Sequence, residues 1–584
     1  MSEKTRISRA SFVKGSAALA AVASLPQVAL AEETAAPELY TTTVGSIKGD
    51  MTVAVLISAG EILDVKVTNC VDSAVVSDAA IADVPARIVA QQNVEVDVTT
   101  GATFTSLAIK NAVIDCLEQA GLDVDAFCKG GDALATEDKQ AGSEESYDLV
   151  IVGSGFSGMA CAIMAARNGA ENILVLEKEA YRGGSSRHIG GCISVMNGTT
   201  LNQQAGEDCT EDEFIAPLIT EFSDEHSEER LREVYRICPE VFDYYVENGM
   251  PLNPNDWYRD EELGGRVVCF DCYGYSDYTW ETGETGLYDS LTPMADALGI
   301  EVRLNSKVTG LVGDISAITG VTVEDKESVY TVNAKKVVLA TGGFQCSQSL
   351  MDEYNASFAG LVAFAGAGCT GDGLVMCREL GVPIVGVGGA AGICGTGPVL
   401  GWYGPTGDLA KHPQVVFDAD GNVLGAEQIG IDELAKTPGC CGYGLIDTAS
   451  QYRDRCAKAF EEGFVSKFET LADAAAEWGI SEEALAAGCA EYGVETAPFY
   501  GIVQHPCNIL TLPGPKIDQD FRVCAQDGTP VENLYAVGVL MFGNMFGDTA
   551  DEAGVGSWTA TFSSVTISNC TGAIVGKALA EELA

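Results

Sequence analysis

Met51 to Ile57, apolar but for Thr52 and rich in branched residues, and Ile62 to Val67, where Asp64 and Lys66 alternate with Val65 and Val67, read as strands. A helical stretch follows from Ser106, so residues 40–121 predict a small α+β unit. The polar, glycine-rich and acidic stretch 122–146 predicts a linker. At Tyr147 the pattern changes. Tyr147-Asp148-Leu149-Val150-Ile151-Val152 is a β-branched strand signal, followed by a glycine-rich turn, the alanine-rich stretch Met159 to Asn168, and a second strand signal at Asn172 to Leu176. Strand, turn, helix and strand in this order predict a doubly wound α/β domain.

Residues 1–31 read as an export signal, with basic Lys4, Arg6, Arg9 and Lys14, a short apolar stretch from Ser16 to Leu25, and the small-residue site Ala29-Leu30-Ala31. Ser8-Arg9-Ala10-Ser11-Phe12 is close to a twin-arginine signal, with Ala10 in place of the second arginine. Export by that route, export by the general route, and a retained tail all stay open; the expected location is extracytoplasmic or at the cell envelope. No apolar run approaches the roughly 18 to 20 residues of a membrane helix.

Composition narrows the partners. The 584 residues carry 34 Lys+Arg against 84 Asp+Glu, a net charge of -50 that repels nucleic acid and anionic lipid. The 20 cysteines favour a reducing or anoxic setting over disulfide staples, which a chain this long does not need.

The turn after Val152 is Gly153-Ser154-Gly155-Phe156-Ser157-Gly158. In a dinucleotide site Gly153 permits the tight turn, Gly155 lets the backbone approach the pyrophosphate, and Gly158 packs helix on strand. Glu177, nineteen residues after Gly158, is placed to accept from ribose hydroxyls.

Further along stand Tyr181-Arg182-Gly183-Gly184-Ser185-Ser186, Val337 to Ala340 with Thr341-Gly342-Gly343-Phe344, Thr370-Gly371-Asp372-Gly373, and Asn533 to Gly538. With these motifs in order, the chain from about Tyr147 to Ala584 resembles FAD-dependent flavoproteins of the fumarate and urocanate reductase type. The resemblance implies an FAD-binding domain in two parts, 147–392 and 506–584, with an inserted α+β substrate-capping domain at 393–505. It also implies FAD contacts from Gly153, Gly155, Phe156, Ser157, Gly158, Glu177, Lys178, Gly183, Gly184, Ser185, Ser186, Val308, Ala340, Thr341, Gly342, Asp372 and Gly538.

In the first unit, Asp97-Val98-Thr99-Thr100-Gly101-Ala102-Thr103 resembles the flavinylation motif of FMN-binding domains. The resemblance makes Thr103 the residue joined through its hydroxyl to the FMN phosphate, against the simpler reading of a capped helix start. Two flavins in series imply a relay from an external donor through FMN to FAD and on to substrate. The acidic surface and the family suggest a membrane-anchored cytochrome c-type donor.

The family's dicarboxylate clamp is missing. Val423, within Asp418 to Glu427, stands where fumarate reductases carry a catalytic arginine, and Ile509-Leu510-Thr511-Leu512-Pro513-Gly514 has no imidazole where they have histidines. No arginine follows Arg522. A dicarboxylate buried without arginine would leave its charges unpaired. Trp402, Tyr403, Leu510, Leu512, Met541, Phe542, Met545, Phe546 and Trp558 are expected as a group to line a pocket for a bulky neutral molecule, though core packing competes for each one singly. Hydride reduction of a C=C bond needs a neighbouring carbonyl to hold the developing charge, so an enone or unsaturated lactone is the expected acceptor; the resemblance, which extends to family members that reduce plant toxins, implies the butyrolactone of cardiac glycosides among them. Candidate donors of the accompanying proton are Glu427, Tyr403, Tyr443, His412 and His505, with His188 beside the flavin motif.

Other readings stay open: a ketosteroid dehydrogenase-type enzyme, a fumarate-like dicarboxylate reductase, or a flavin relay without its own substrate. Cys269 and Cys272 form a CxxC and are candidate ligands of an iron–sulfur cluster, although 20 cysteines in 584 positions give about 0.7 such pairs by chance. Oligomeric state is not written in these patterns.

Overall fold

The computed structural model describes residues 37–46, 49–70, 74–96, 98–99, 103–128, 140–142, 144–188, 192–194, 198–208, 210–215, 226–255, 257–259, 268–271, 287–325, 327–358, 361–363, 365–366, 368–396, 409, 412–427, 429–434, 436–461, 465–546 and 558–584. The chain forms two compact units, Met1–Asp138 and Lys139–Ala584. The expected export signal lies outside the described residues.

In the first unit, β1 (Glu38–Ser46), β2 (Gly49–Ser58) and β3 (Glu61–Asn69) form an antiparallel meander in that order. The helices α1 (Ala74–Gln91) and α2 (Thr103–Ala120) complete it. The period of two along β2 buries Met51, Val53, Val55 and Ile57 in one core with Val84, Ile88, Ile109 and Val113. Helix α2 starts at Thr103, three residues before the expected start, because Ser106 is already helical and its hydroxyl oxygen accepts from Thr99 N–H at 3.0 Å across the preceding loop.

The second unit begins with β4 (Glu145–Val152), α3 (Phe156–Arg167) and β5 (Ile173–Leu176), then the long helix α4 (Ser227–Glu247). Next come β6 (Glu301–Arg303), β7 (Lys307–Asp314), β8 (Ala317–Glu324) and β9 (Ser328–Leu339). The chain continues with α5 (Asp372–Glu379), β10 (Ala390–Thr396), β11 (Val415–Phe417), β12 (Gly442–Asp447), β13 (Phe499–Thr511), β14 (Pro530–Ala536) and the C-terminal α6 (Trp558–Leu583).

Strands β6, β5, β4, β9 and β14 run parallel in that spatial order. Their buried faces explain the near-continuous apolar runs of β4 and β5. This is the doubly wound α/β sheet expected from the sequence. Helix α6 lies against α3 with almost no spacing: a Cβ on Gly572 or Gly576 would come within 2.0 Å of Ser157 O and 2.2 Å of Cys161 O. The two glycines, four residues apart on one helix face, let the backbones touch.

A second sheet is built on β13, which pairs antiparallel with β10 and β12, while β12 pairs with β11. Strand β13 runs straight through the expected cap boundary at residue 505 and ends at Thr511.

Candidate functional site

The turn between β4 and α3 is made by contacts that exclude side chains. Gly153 has φ +103°, and a Cβ there would lie 2.4 Å from Ala340 O at the end of β9. On Gly158 it would lie 2.0 Å from Gly153 O. Both positions require glycine.

The carboxylate of Glu177, just past β5, is 6% exposed. Its Oε2 accepts from Ser154 N–H at 3.0 Å and from Ser154 Oγ at 2.6 Å, and its Oε1 from Glu179 N–H at 3.0 Å. The second lone pair of Oε1 is left for a hydroxyl donor. Ser154 Oγ in turn accepts from Gly183 N–H at 3.0 Å, and Ser186 Oγ accepts from Phe156 N–H at 2.9 Å. The Gly183–Ser186 segment is thereby tied to the start of α3.

Lys178 reaches across to α5, donating to Asp372 Oδ2 and Thr370 Oγ at 2.6 Å each. Burial pulls the Lys178 ammonium down, but the charge and hydrogen bond of Asp372 outweigh it and hold the pKa above the ordinary value. Cys369 Sγ sits 2.9 Å from Ser185 Oγ, and burial pushes this thiol up, so it stays protonated. On the far side Gly538 has φ +68°, and a Cβ there would lie 2.4 Å from Ser157 Oγ.

These segments line one cleft open to solvent. Of the residues expected at the cofactor, Gly153, Gly155, Phe156, Ser157, Glu177, Lys178, Gly183, Gly184, Ser185, Ser186, Val308, Ala340, Thr341, Gly342 and Asp372 line it. Gly158 and Gly538 sit behind the wall as packing glycines. Thr341 Oγ and Gln345 Oε1 are buried side-chain oxygens on the cleft with no hydrogen-bond partner. Glycines that bring main chain to the cleft, a helix start, a carboxylate with a spare lone pair and orphaned oxygens fit a dinucleotide such as FAD.

The proton-donor candidates are not brought together. Glu427 is exposed on a positive-φ turn (64°), its carbonyl bonded to Gln504 Nε2 at 2.9 Å. Tyr443 on β12 packs on Trp478 at 5.2 Å, and its hydroxyl, raised chiefly by a hydrogen bond with Cys441 and then by burial, is pushed up to about 12. His412 stacks on Tyr452 at 4.2 Å. None of these three lines the cleft. Tyr403 lies outside the described residues, as do the side chains of His188 and His505; His505 pairs through its backbone with Gly395. Thr103 opens α2, its side chain also outside the described residues, as are Cys272 and the side chain of Cys269.

The expected apolar pocket wall needs correction. Leu510 (3% exposed) and Leu512, Met541, Phe542, Met545 and Phe546 (all 0%) are core residues, with Phe542 and Phe546 in edge-to-face contact at 5.6 Å. Composition alone does not separate a pocket lining from a core. The side chains of Trp402, Tyr403 and Trp558 lie outside the described residues. Two polar groups escaped the sequence reading. Arg230 on α4 is fully buried and donates to Asn544 O at 3.0 Å and Ile517 O at 3.5 Å. Gln345 follows the Gly-Gly-Phe motif with no spacing signal of its own.

Sheet order, glycine turn and cleft together define a dinucleotide-binding flavoprotein fold. The chain belongs to the FAD binding domain family, which it matches over residues 148–390 and 404–556, and it carries an FMN-binding domain match at residues 47–118. It is 24% identical to the NADH:fumarate oxidoreductase of Klebsiella pneumoniae, over 87% of this chain and 56% of that protein. It is 25% identical to the vinyl phenol reductase of Lactiplantibacillus plantarum, over 68% of this chain and 90% of that one. The chain thus spans little more than half the length of the first relative. The open conformation of a flavocytochrome c3 fumarate reductase superposes with a TM-score of 0.64 at 20% identity, covering 78% of this chain and 84% of that one.

Proposed function

We propose that the protein reduces the C=C bond of a neutral, bulky α,β-unsaturated carbonyl compound or lactone. The observation that carries this reading is the FAD-type cleft beside β13, where the segment at the expected clamp position, Ile509 to Gly514, has no imidazole or guanidinium and brings only the apolar Ile509 to the cleft. Arg230 does not replace the clamp: it is 0% exposed and bonded to main-chain carbonyls. The name of one relative, a vinyl phenol reductase, supports reduction of a C=C bond.

Bound in the cleft, FAD would supply a hydride to the carbon β to the carbonyl. Glu177 would hold the ribose with its free lone pair, Gly153 and Gly155 would let the pyrophosphate approach the start of α3, and the ties among Ser154, Gly183, Ser186 and Phe156 would fix the segment facing the ring. The α-carbon proton would come from a side chain, with Tyr403, His505 and His188 the candidates that the cleft lining leaves open, or from water. Electrons would enter through FMN carried on Thr103 from a cytochrome c-type donor outside the cytoplasm.

The test is anaerobic turnover with a reduced viologen dye as electron source. Oxidation of the dye by an enone or by the butyrolactone of a cardiac glycoside, and not by fumarate or urocanate, supports the reading; turnover of fumarate alone would refute it.

A further inference from the structure

Beside Thr341 Oγ, the cleft wall carries an amide oxygen with no protein partner, that of Gln345. Gln345 is 8% exposed and donates from Nε2 to Ile509 O at 2.8 Å. The amide atom facing a main-chain carbonyl must be the NH2, so the atom turned the other way is the carbonyl oxygen. That Oε1 is buried without a hydrogen-bond partner. Gln345, Gly343 and Ile509 all line the cleft. A Cβ on Gly343 would fall 2.4 Å from Gln345 Oε1 and 2.5 Å from Thr511 Oγ, so two side-chain oxygens converge beside a bare Cα. Thr511 Oγ already accepts from Phe344 N–H at 3.2 Å. A buried carbonyl oxygen with no donor is a substantial cost that folded chains rarely carry, so this one is suited to a donor that arrives with the ligand.

FAD offers N–H donors at its two ends, the adenine amino group and the imide N3–H of the isoalloxazine ring. Glu177, tied to Ser154, marks the ribose of the adenosine end. Gln345 is bonded instead to β13, the strand shared with the second sheet, and the reacting ring is the end that must meet the cap. We infer that Gln345 Oε1 accepts the hydrogen bond of the flavin N3–H and sets the orientation of the ring. This rests on FAD occupying the cleft and is independent of which double bond is reduced.

The test uses apoprotein of the full chain reconstituted with FAD or with N3-methyl-FAD, which lacks the donor. Wild type should bind FAD about tenfold more tightly than the methylated form, and in Gln345→Leu the preference should fall to near one. An unchanged preference in the variant would show that the methyl group merely clashes, and would overturn the inference. A second measurement needs no variant: in wild type loaded with FAD labelled with nitrogen-15 at N3, the N3 proton should be protected from solvent exchange and shifted downfield of free FAD. A proton exchanging as fast as in free FAD would overturn the assignment and leave the oxygen to a water. Both readouts stand even where no C=C substrate is turned over.

Discussion

Ser154 and Glu177 are joined twice: the main-chain N–H and the hydroxyl of Ser154 both donate to Glu177 Oε2, at 3.0 and 2.6 Å, while the same hydroxyl oxygen accepts from Gly183 N–H at 3.0 Å. One small side chain therefore links the glycine turn, the acid expected at the ribose and the segment expected over the flavin. Tyr288 adds a second brace through its hydroxyl to Ser154 O.

Ser154→Ala removes a donor from a carboxylate that is 6% exposed, and an acceptor from Gly183. The loss is about 1–3 kcal/mol, which corresponds to FAD binding weakened roughly tenfold or more. Titration of apoprotein with FAD, followed by quenching of flavin fluorescence, measures it.

Two glycines with nearly the same backbone angle separate strain from crowding. Gly153 (φ +103°) meets Ala340 O at 2.4 Å from a built Cβ, whereas Gly169 (φ +99°) has nothing within 4 Å. Gly169→Ala should cost about 1–2 kcal/mol of backbone strain and keep its FAD. Gly153→Ala should cost more than about 3 kcal/mol and lose FAD. Thermal unfolding and bound-flavin content of the two variants check this.

The Lys178–Asp372 pair makes a prediction about pH. The folded-state pKa of Lys178 lies above the ordinary 10.5, so the pair's contribution is full below 10.5 and is lost as pH rises through the folded value. Asp372→Asn should destabilise the protein by about 1–2 kcal/mol at neutral pH. The difference between wild type and variant in urea unfolding should stay flat through neutral pH and shrink only above the ordinary lysine range.

Attachment of FMN is tested by mass. When the chain is produced with a flavin transferase, the peptide carrying Thr103 should gain the mass of FMN less water, and Thr103→Ala should abolish in-gel flavin fluorescence. An unmodified Thr103 under those conditions would rule out the covalent link.

The glycine turn was legible because its requirements are local: Gly153 and Gly158 are demanded by atoms brought near by one strand, one turn and one helix. Glu177 followed from the spacing of the next strand. Gln345 was not legible, since its orphaned oxygen exists only because Ile509, more than 160 residues on, takes the other end of the amide. Met541, Phe542, Met545 and Phe546 misled for the related reason that an apolar run reads alike in a core and in a pocket. Arg230 was hidden by sequence distance from Asn544.

The central claim is hydride transfer from the cleft to a neutral conjugated C=C bond. Anaerobic stopped-flow mixing of dithionite-reduced protein, freed of excess reductant, with an unsaturated butyrolactone and separately with fumarate tests it most directly, read as return of oxidised-flavin absorbance. Fast reoxidation by the lactone and none by fumarate is the predicted result; reoxidation by fumarate alone, or by no unsaturated carbonyl compound at all, would contradict it.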